Sequence, residues 1–301
     1  MYALDFGRDT LYTLILEVRK MFGKVLDALG SAGLDIHAIE ILQHGEVALH
    51  KCFDGDVRYP VYSVTKSVTS AAFAMLCDDG KLSAEMPLAQ FLESRYRALL
   101  RSGFETLTFE RFLTMTAGEF PFRPQGDNWL EQALTLDVDY SDRAFHYSNI
   151  PAYLVGAACE NTAGGDLMKY LGGRLFEPLG IANVPYQKSP EGHFYGATGM
   201  ELTVGELARL GQLFLQKGRW QGEQLISEGA VEKALVERSS NGRYGYGYFI
   251  RIENGRFSFV GKWGQRCTVY PERDLVVAYF SHQPERKDEL AQVVHDAVTG
   301  G

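Results

Sequence analysis

Apolar positions recur at helical spacing in some stretches of the chain and alternate with polar ones in others, and this pattern predicts its elements. Residues 10–29 place Leu11, Leu14, Ile15, Val18, Phe22, Val25, Leu26 and Leu29 on one helical face, with Gly30 as a C-terminal cap. Two strands follow, Ile36–Leu42 and Glu46–Phe53, joined around His44-Gly45 and followed by a turn at Asp54-Gly55-Asp56. From Ser63 the run VTKSVTSAAFAMLCDDG sets Val64, Val68, Ala71, Ala72 and Met75 at helical spacing and stops at Gly80, which predicts a buried helix.

Beyond residue 80 the pattern changes. Short helical runs (Leu88–Leu100, Phe109–Met115, Ile150–Glu160, Leu167–Leu175) alternate with loops rich in Gly, Pro and Asn. Thr203 and Glu206 form a capping box that opens a helix over Val204–Gln216. Strands return at Tyr244–Ile252, Arg256–Val260 after the Asn254-Gly255 turn, Lys262–Tyr270, and Leu275–Ser281 past Pro271–Asp274. An amphipathic helix over 285–298 closes the chain. Strands at both ends and helices between them predict an α+β fold. Residues 1–80 and 201–301 build one antiparallel sheet flanked by terminal helices, and 81–200 form an inserted, mainly helical domain.

Composition narrows the function. At 301 residues the chain is long enough for one large domain or two modest ones, and it needs no disulfide or metal staple. A net charge of −8 with no basic run argues against nucleic acid as a partner. The four cysteines (Cys52, Cys77, Cys159, Cys267) show no Cys-x-x-Cys pair and no His at metal-ligand spacing, so they are expected as reduced thiols with no metal site. No run reaches the ~20 apolar residues of a membrane span. In LYTLIL (11–16) the charges follow the apolar run, the reverse of a secretory signal. The expected location is cytoplasmic, or that of an exported form whose leader is absent from this sequence.

Three short motifs carry candidate chemistry. In Ser63-Val64-Thr65-Lys66 a hydroxyl and an amine lie one helical turn apart, where a desolvated lysine can take the serine proton. The helix start adds a backbone N–H for a developing oxyanion. The plain alternative is a Ser cap followed by a solvated Lys. In Tyr147-Ser148-Asn149 a phenol near ammonium groups can relay protons, and the carboxamide can orient a lysine and a substrate carbonyl; otherwise Asn149 caps the next helix and Tyr147 packs. Lys262-Trp263-Gly264 is expected on a strand whose edge at Gly264 admits a substrate, with the Gln265 N–H as second oxyanion donor. Its alternative is an ordinary strand lysine with a surface tryptophan.

With these motifs in the order Ser-x-x-Lys, Tyr-x-Asn, Lys-x-Gly, the chain resembles the serine β-lactamase and penicillin-binding-protein superfamily, on the class C β-lactamase and esterase side. The likeness extends to LTMTAG (113–118), FEPLGI (176–181), GATGMELTVGELARLGQLFLQKG (196–218), YGYGY (244–248) and GKWGQRCTVYPERDLVVAYFS (261–281). It implies the β-lactamase/transpeptidase-like fold, with Ser63 as nucleophile, Lys66 as base, Tyr147 in proton transfer, Asn149 orienting and Lys262 supporting the site. It also implies the Ser63 and Gln265 N–H groups as oxyanion hole, and no metal or organic cofactor.

The third motif departs from the family, because Trp263 stands where β-lactamases and D-Ala-D-Ala peptidases carry Thr or Ser. The favoured reading is therefore a serine hydrolase acting on a small ester or amide through an acyl-enzyme. A β-lactamase or D-Ala-D-Ala carboxypeptidase, and a non-catalytic binding protein on this scaffold, are the alternatives. Phe122, Trp129, Tyr244, Tyr246 and Tyr248 are candidate cleft aromatics. His146 is expected to be structural, since no Gly-x-Ser-x-Gly elbow occurs.

Overall fold

The computed structural model describes residues 23–300. Eight strands form one sheet in the order Glu46–Cys52, Ala38–Gln43, Leu275–Phe280, Arg266–Tyr270, Arg256–Val260, Arg251–Glu253, Gly245–Tyr246, Ser239–Ser240. Each neighbouring pair is antiparallel. Two-residue turns at His44-Gly45 and Asn254-Gly255 hold positive φ at all four residues, as type I′ hairpins require. The pairing that joins the two ends of the chain runs from Ala38↔Phe280 to Gln43↔Leu275.

Side-chain alternation on the central strands serves two cores. Ile39, Ile41, Val277 and Tyr279 face a cluster with Val25 and Leu29 of the helix over 23–32 and Leu290 and Val294 of the helix Lys287–Thr299. Ala38, Leu42, Val276, Ala278 and Phe280 face the opposite way, into the larger core. There the helix Val204–Leu215, opened by the Thr203/Glu206 capping box, packs on the sheet. The same core continues into the helices Thr65–Asp78 and Ile150–Thr162. Residues Thr65–Leu76 are buried without a break, as their small and apolar side chains allow.

Several elements differ from the sequence expectation. Residues 10–22 of the first expected helix lie outside the described residues. Its described part runs to residue 32, and the cap is Gly33 at φ +61, not Gly30. The expected helix Leu88–Leu100 divides into a 3-10 turn, Leu88–Phe91, and a short helix, Ser94–Arg97, because Leu92 and Glu93 are extended. Tyr244–Ile252 is not one strand but Gly245–Tyr246 and Arg251–Glu253. A tight turn separates them, with Phe249 at φ +58 and the Gly247 N–H bonded to Ile250 O. Lys262–Tyr270 shortens to Arg266–Tyr270, and its first residues become a hairpin turn. The short helices Trp129–Thr135 and Glu228–Ala234 were not foreseen. No helix among the described residues is long and apolar enough to cross a membrane.

Candidate active site

Ser63 sits in a single 3-10 turn, Tyr62–Val64, which runs directly into the helix Thr65–Asp78. Lys66 follows one turn later and is 1% exposed, so it is not the solvated lysine of the plain alternative. Its Nζ lies 3.2 Å from Ser63 Oγ, 2.6 Å from Asn149 Oδ1 and 3.0 Å from Ala197 O. Burial lowers the Lys66 ammonium to about 7. A neutral amine has two N–H donors and one lone pair. With Asn149 Oδ1 and Ala197 O taking the donors, the lone pair is left for the Ser63 hydroxyl.

Asn149 precedes the helix Ile150–Thr162 but does not cap it; Ser148 Oγ accepts the Ile150 N–H instead, at 3.0 Å. The Asn149 carboxamide is thereby free to bond Lys66 and to donate to Tyr195 Oη at 3.3 Å. Tyr147 presents its ring to the Lys66 Nζ, 5.0 Å from the ring centroid. Burial pushes its phenol up, while a hydrogen bond with Ser63 and the nearby Arg251 and Lys287 pull it down. Ser63, Lys66, Tyr147 and Asn149 are thus brought together.

The third motif lies elsewhere than expected. Lys262, Trp263 and Gly264 form the turn between Arg256–Val260 and Arg266–Tyr270. Gly264 has φ +99, and a Cβ there would stand 2.2 Å from Ser281 Oγ, so its glycine serves the turn rather than a substrate. Lys262 lines the cavity next to Ser63, whereas Trp263 packs edge-on to Tyr62 with centroids 4.9 Å apart. Gln265 is turned inward: its side chain accepts the Trp263 N–H and donates to Ser281 O.

Ladder parity shows which peptide group of this strand lacks a ladder partner. Gly261 N–H donates to Gln265 O at 2.7 Å, so Phe257, Phe259 and Gly261 direct their peptides toward Arg266–Tyr270. Ser258 and Val260 direct theirs the other way, but that ladder ends at Ser258↔Arg251. Val260 therefore presents its N–H and C=O at an open edge beside the Tyr62–Val64 turn. The Gln265 carbonyl, opposite Gly261, points into the hairpin.

The family model for Beta-lactamase matches residues 31–299. The chain belongs to the β-lactamase family. It is a serine hydrolase of that superfamily with the β-lactamase/transpeptidase-like fold. Among curated proteins, the 6-aminohexanoate-dimer hydrolase of Paenarthrobacter ureafaciens is 22% identical over 273 residues, 77% of this chain and 68% of that one. A penicillin-binding-protein homologue from Caulobacter crescentus superposes with a TM-score of 0.75 at 18% identity, covering 93% of this chain and 97% of its own. EstCE1, a hydrolase with promiscuous acyltransferase activity, superposes with a TM-score of 0.75 at 14% identity, covering 94% and 99%.

In this β-lactamase-family protein the cavity beside Ser63 measures about 910 Å³. Arg123, Arg251, Lys262 and Lys287 line it, and among the described residues no Asp or Glu does. Of the expected aromatics, Phe122, Trp129, Tyr244 and Tyr246 line the cavity. Tyr248 does not: it is buried, and its hydroxyl donates to Glu110. His146 bonds Asp142 at 2.7 Å and stays out of the cavity. Sequence reasoning missed Ala197, Tyr195, Val260, Arg251 and Lys287. A signal for Ala197 was present in GATG: Gly196 has φ +67 and lies against the backbone of Ala152, bringing the loop onto the buried helices.

Proposed function

We propose that this hydrolase cleaves small amides or esters carrying a carboxylate, through an acyl-enzyme on Ser63. The observation that carries the reading is a fully buried lysine whose Nζ lies 3.2 Å from Ser63 Oγ and is held by Asn149 Oδ1 and Ala197 O; burial lowers its ammonium to about 7, so its neutral form can take the serine proton. Lys66 takes the Ser63 proton as Oγ attacks the substrate carbonyl carbon. The oxyanion is held by the Ser63 and Val260 N–H groups, each such donor being worth roughly 10²–10³ in rate. Tyr147 passes the proton to the leaving nitrogen or oxygen as the bond to the acyl carbon breaks. Water then attacks the acyl carbon, giving its proton to the same Lys66/Tyr147 pair, which returns a proton to Ser63 Oγ as the acyl–Oγ bond breaks and the acid product leaves. The four cations that line the cavity, with no carboxylate among the described lining residues, favour an acidic substrate group. The similarity to a hydrolase of a 6-aminohexanoate dimer, two amino acids joined, supports an amide as substrate.

The test is intact mass after treatment with a fluorophosphonate, for the wild type and Ser63→Ala in parallel. One adduct on the wild type and none on the variant is expected. Equal labelling of both, or labelling of neither together with no turnover of activated esters, refutes the reading. Nitrophenyl esters of matched length, one neutral and one ending in a carboxylate, then test the charge preference. The acidic ester is expected to have the lower KM, and Arg251→Gln to raise KM for that ester alone.

A further inference from the structure

A second cluster lies at the opposite side of the sheet, on its edge strand Glu46–Cys52. His50 and Cys52 are two residues apart on that strand and so share a face, against the expectation that no histidine stands at metal-ligand spacing from a cysteine. Asp56 joins them from the following loop, which turns at Gly55 with φ +95. Cys52 Sγ lies 3.4 Å from His50 Nε2 and 3.9 Å from Asp56 Oδ1, and His50 Nε2 lies 4.0 Å from Asp56 Oδ2. One ligand atom from each residue falls within 4.8 Å of the other two. A tetrahedral zinc site with its usual Zn–S, Zn–N and Zn–O bond lengths sets such atoms about 3.4–3.6 Å apart. Small rotations of side chains that are exposed or half-buried bring the three into that geometry.

The surroundings complete the arrangement. Glu40, the cross-strand partner of His50 and only 4% exposed, holds His50 Nδ1 at 2.5 Å. A carboxylate on one ring nitrogen fixes the tautomer and aims the lone pair of the other, as around metal-bound histidines. That other nitrogen, Nε2, is the atom facing Cys52 and Asp56. Partial burial and the Asp56 and Glu40 carboxylates push the Cys52 thiol up. The same carboxylates favour a dication, which would draw off the thiol proton to solvent on binding.

We propose that His50, Cys52 and Asp56 bind one zinc ion, with solvent at the fourth position and Glu40 orienting His50. The thiolate and imidazole select zinc over magnesium or calcium. None of the four residues lines the Ser63 cavity, so the site is distinct from the hydrolytic one. Bound there, the ion clamps the loop after Cys52 to the unpaired edge of the sheet.

Tag-free protein stripped with chelator is titrated with Co²⁺, read by absorbance, and with Zn²⁺, read by calorimetry. The expected result is one ion per chain, a thiolate-to-cobalt charge-transfer band, and no response to Mg²⁺ or Ca²⁺. Cys52→Ser abolishes the band, and Glu40→Gln weakens binding by roughly 10- to 100-fold. Fluorophosphonate labelling of Ser63 stays at the wild-type level in Cys52→Ser, which also shows that the variant is folded. Absence of the band, or a band that survives Cys52→Ser, overturns the proposal.

Discussion

If neutral Lys66 is the base that activates Ser63, the acylation rate must follow the neutral fraction of this one amine. With its ammonium lowered to about 7, that fraction is about 1% at pH 5, about 9% at pH 6 and about 90% at pH 8. An ordinary lysine would be about 0.03% neutral at pH 7, so burial raises the supply of base by roughly 10³-fold. Burial also pushes the Tyr147 phenol upward from 10, so no second ionisation cuts the rate below that pH. The rate of Ser63 labelling by a fluorophosphonate should therefore climb about 90-fold from pH 5 to pH 8, tenfold per pH step at first, and then level. A stopped labelling series read by intact mass measures it directly. A flat profile, or one still rising tenfold per step beyond pH 9, would refute the reasoning. Stability carries the same signature. The unfolded chain holds the Lys66 proton up to about 10.5, whereas the folded one releases it near 7, so the unfolding free energy rises across that window. The lowered value costs the folded protein about 5 kcal/mol below pH 7, and the cost fades toward pH 10.5. Lys66→Met should lose that rise with pH in denaturant titrations.

Asn149→Asp places a carboxylate where the amide oxygen now stands, 2.6 Å from Lys66 Nζ. A facing charge raises the lysine by roughly one to three pH units, so the labelling profile should move up by that amount, and an unmoved midpoint contradicts the contact. Val260→Pro removes the open-edge N–H without touching a ladder bond and should lower kcat by about 10²–10³, with Val260→Ala near wild type. Equal kcat in the two variants would remove Val260 from the oxyanion hole. Gly211→Ala should cost about 1–3 kcal/mol by overpacking, since its Cβ would stand 2.4 Å from Cys267 Sγ and 2.9 Å from Val276 Cγ1. An unshifted denaturant midpoint would show that the helix Val204–Leu215 can move away from the sheet.

The parts of the site that the sequence made legible are those whose geometry is local. Ser63 and Lys66 meet because they are three residues apart at a helix start, and no distant contact is needed to say so. The reading of Lys66 as desolvated also came from its neighbours, since twelve consecutive residues from Thr65 to Leu76 are buried. Tyr147 and Asn149 were found by order and type, but not the reason Asn149 is available. That depends on Ser148 taking over the Ile150 N–H, a choice between adjacent residues that propensity does not decide. The hairpins with positive-φ pairs were equally plain in sequence, whereas Phe249, a bulky residue at φ +58, concealed the turn that splits Tyr244–Ile252.

What stayed hidden depends on register across the sheet. Lys262-Trp263-Gly264 was expected to lie along a strand, yet the strand that reaches Ser63 is Arg256–Val260, and the motif is the turn that ends it. Whether a peptide N–H faces the nucleophile or the neighbouring strand changes with every residue, so an error of register exchanges a donor for a ladder bond. Gln265, whose carbonyl takes the Gly261 ladder bond, and Val260, whose peptide has no ladder partner, differ in that way. The Asn254-Gly255 turn fixes the parity of Arg256, and two residues at a time that parity carries to Ser258 and then to Val260, where the adjoining strand has already ended. Whether the Val260 N–H is free for the oxyanion role proposed for it is therefore set by where the Arg251–Glu253 ladder stops. That ending in turn follows from the tight turn at residues 247–250, which turns the preceding chain away from Val260 and leaves its edge open beside the Ser63 cavity.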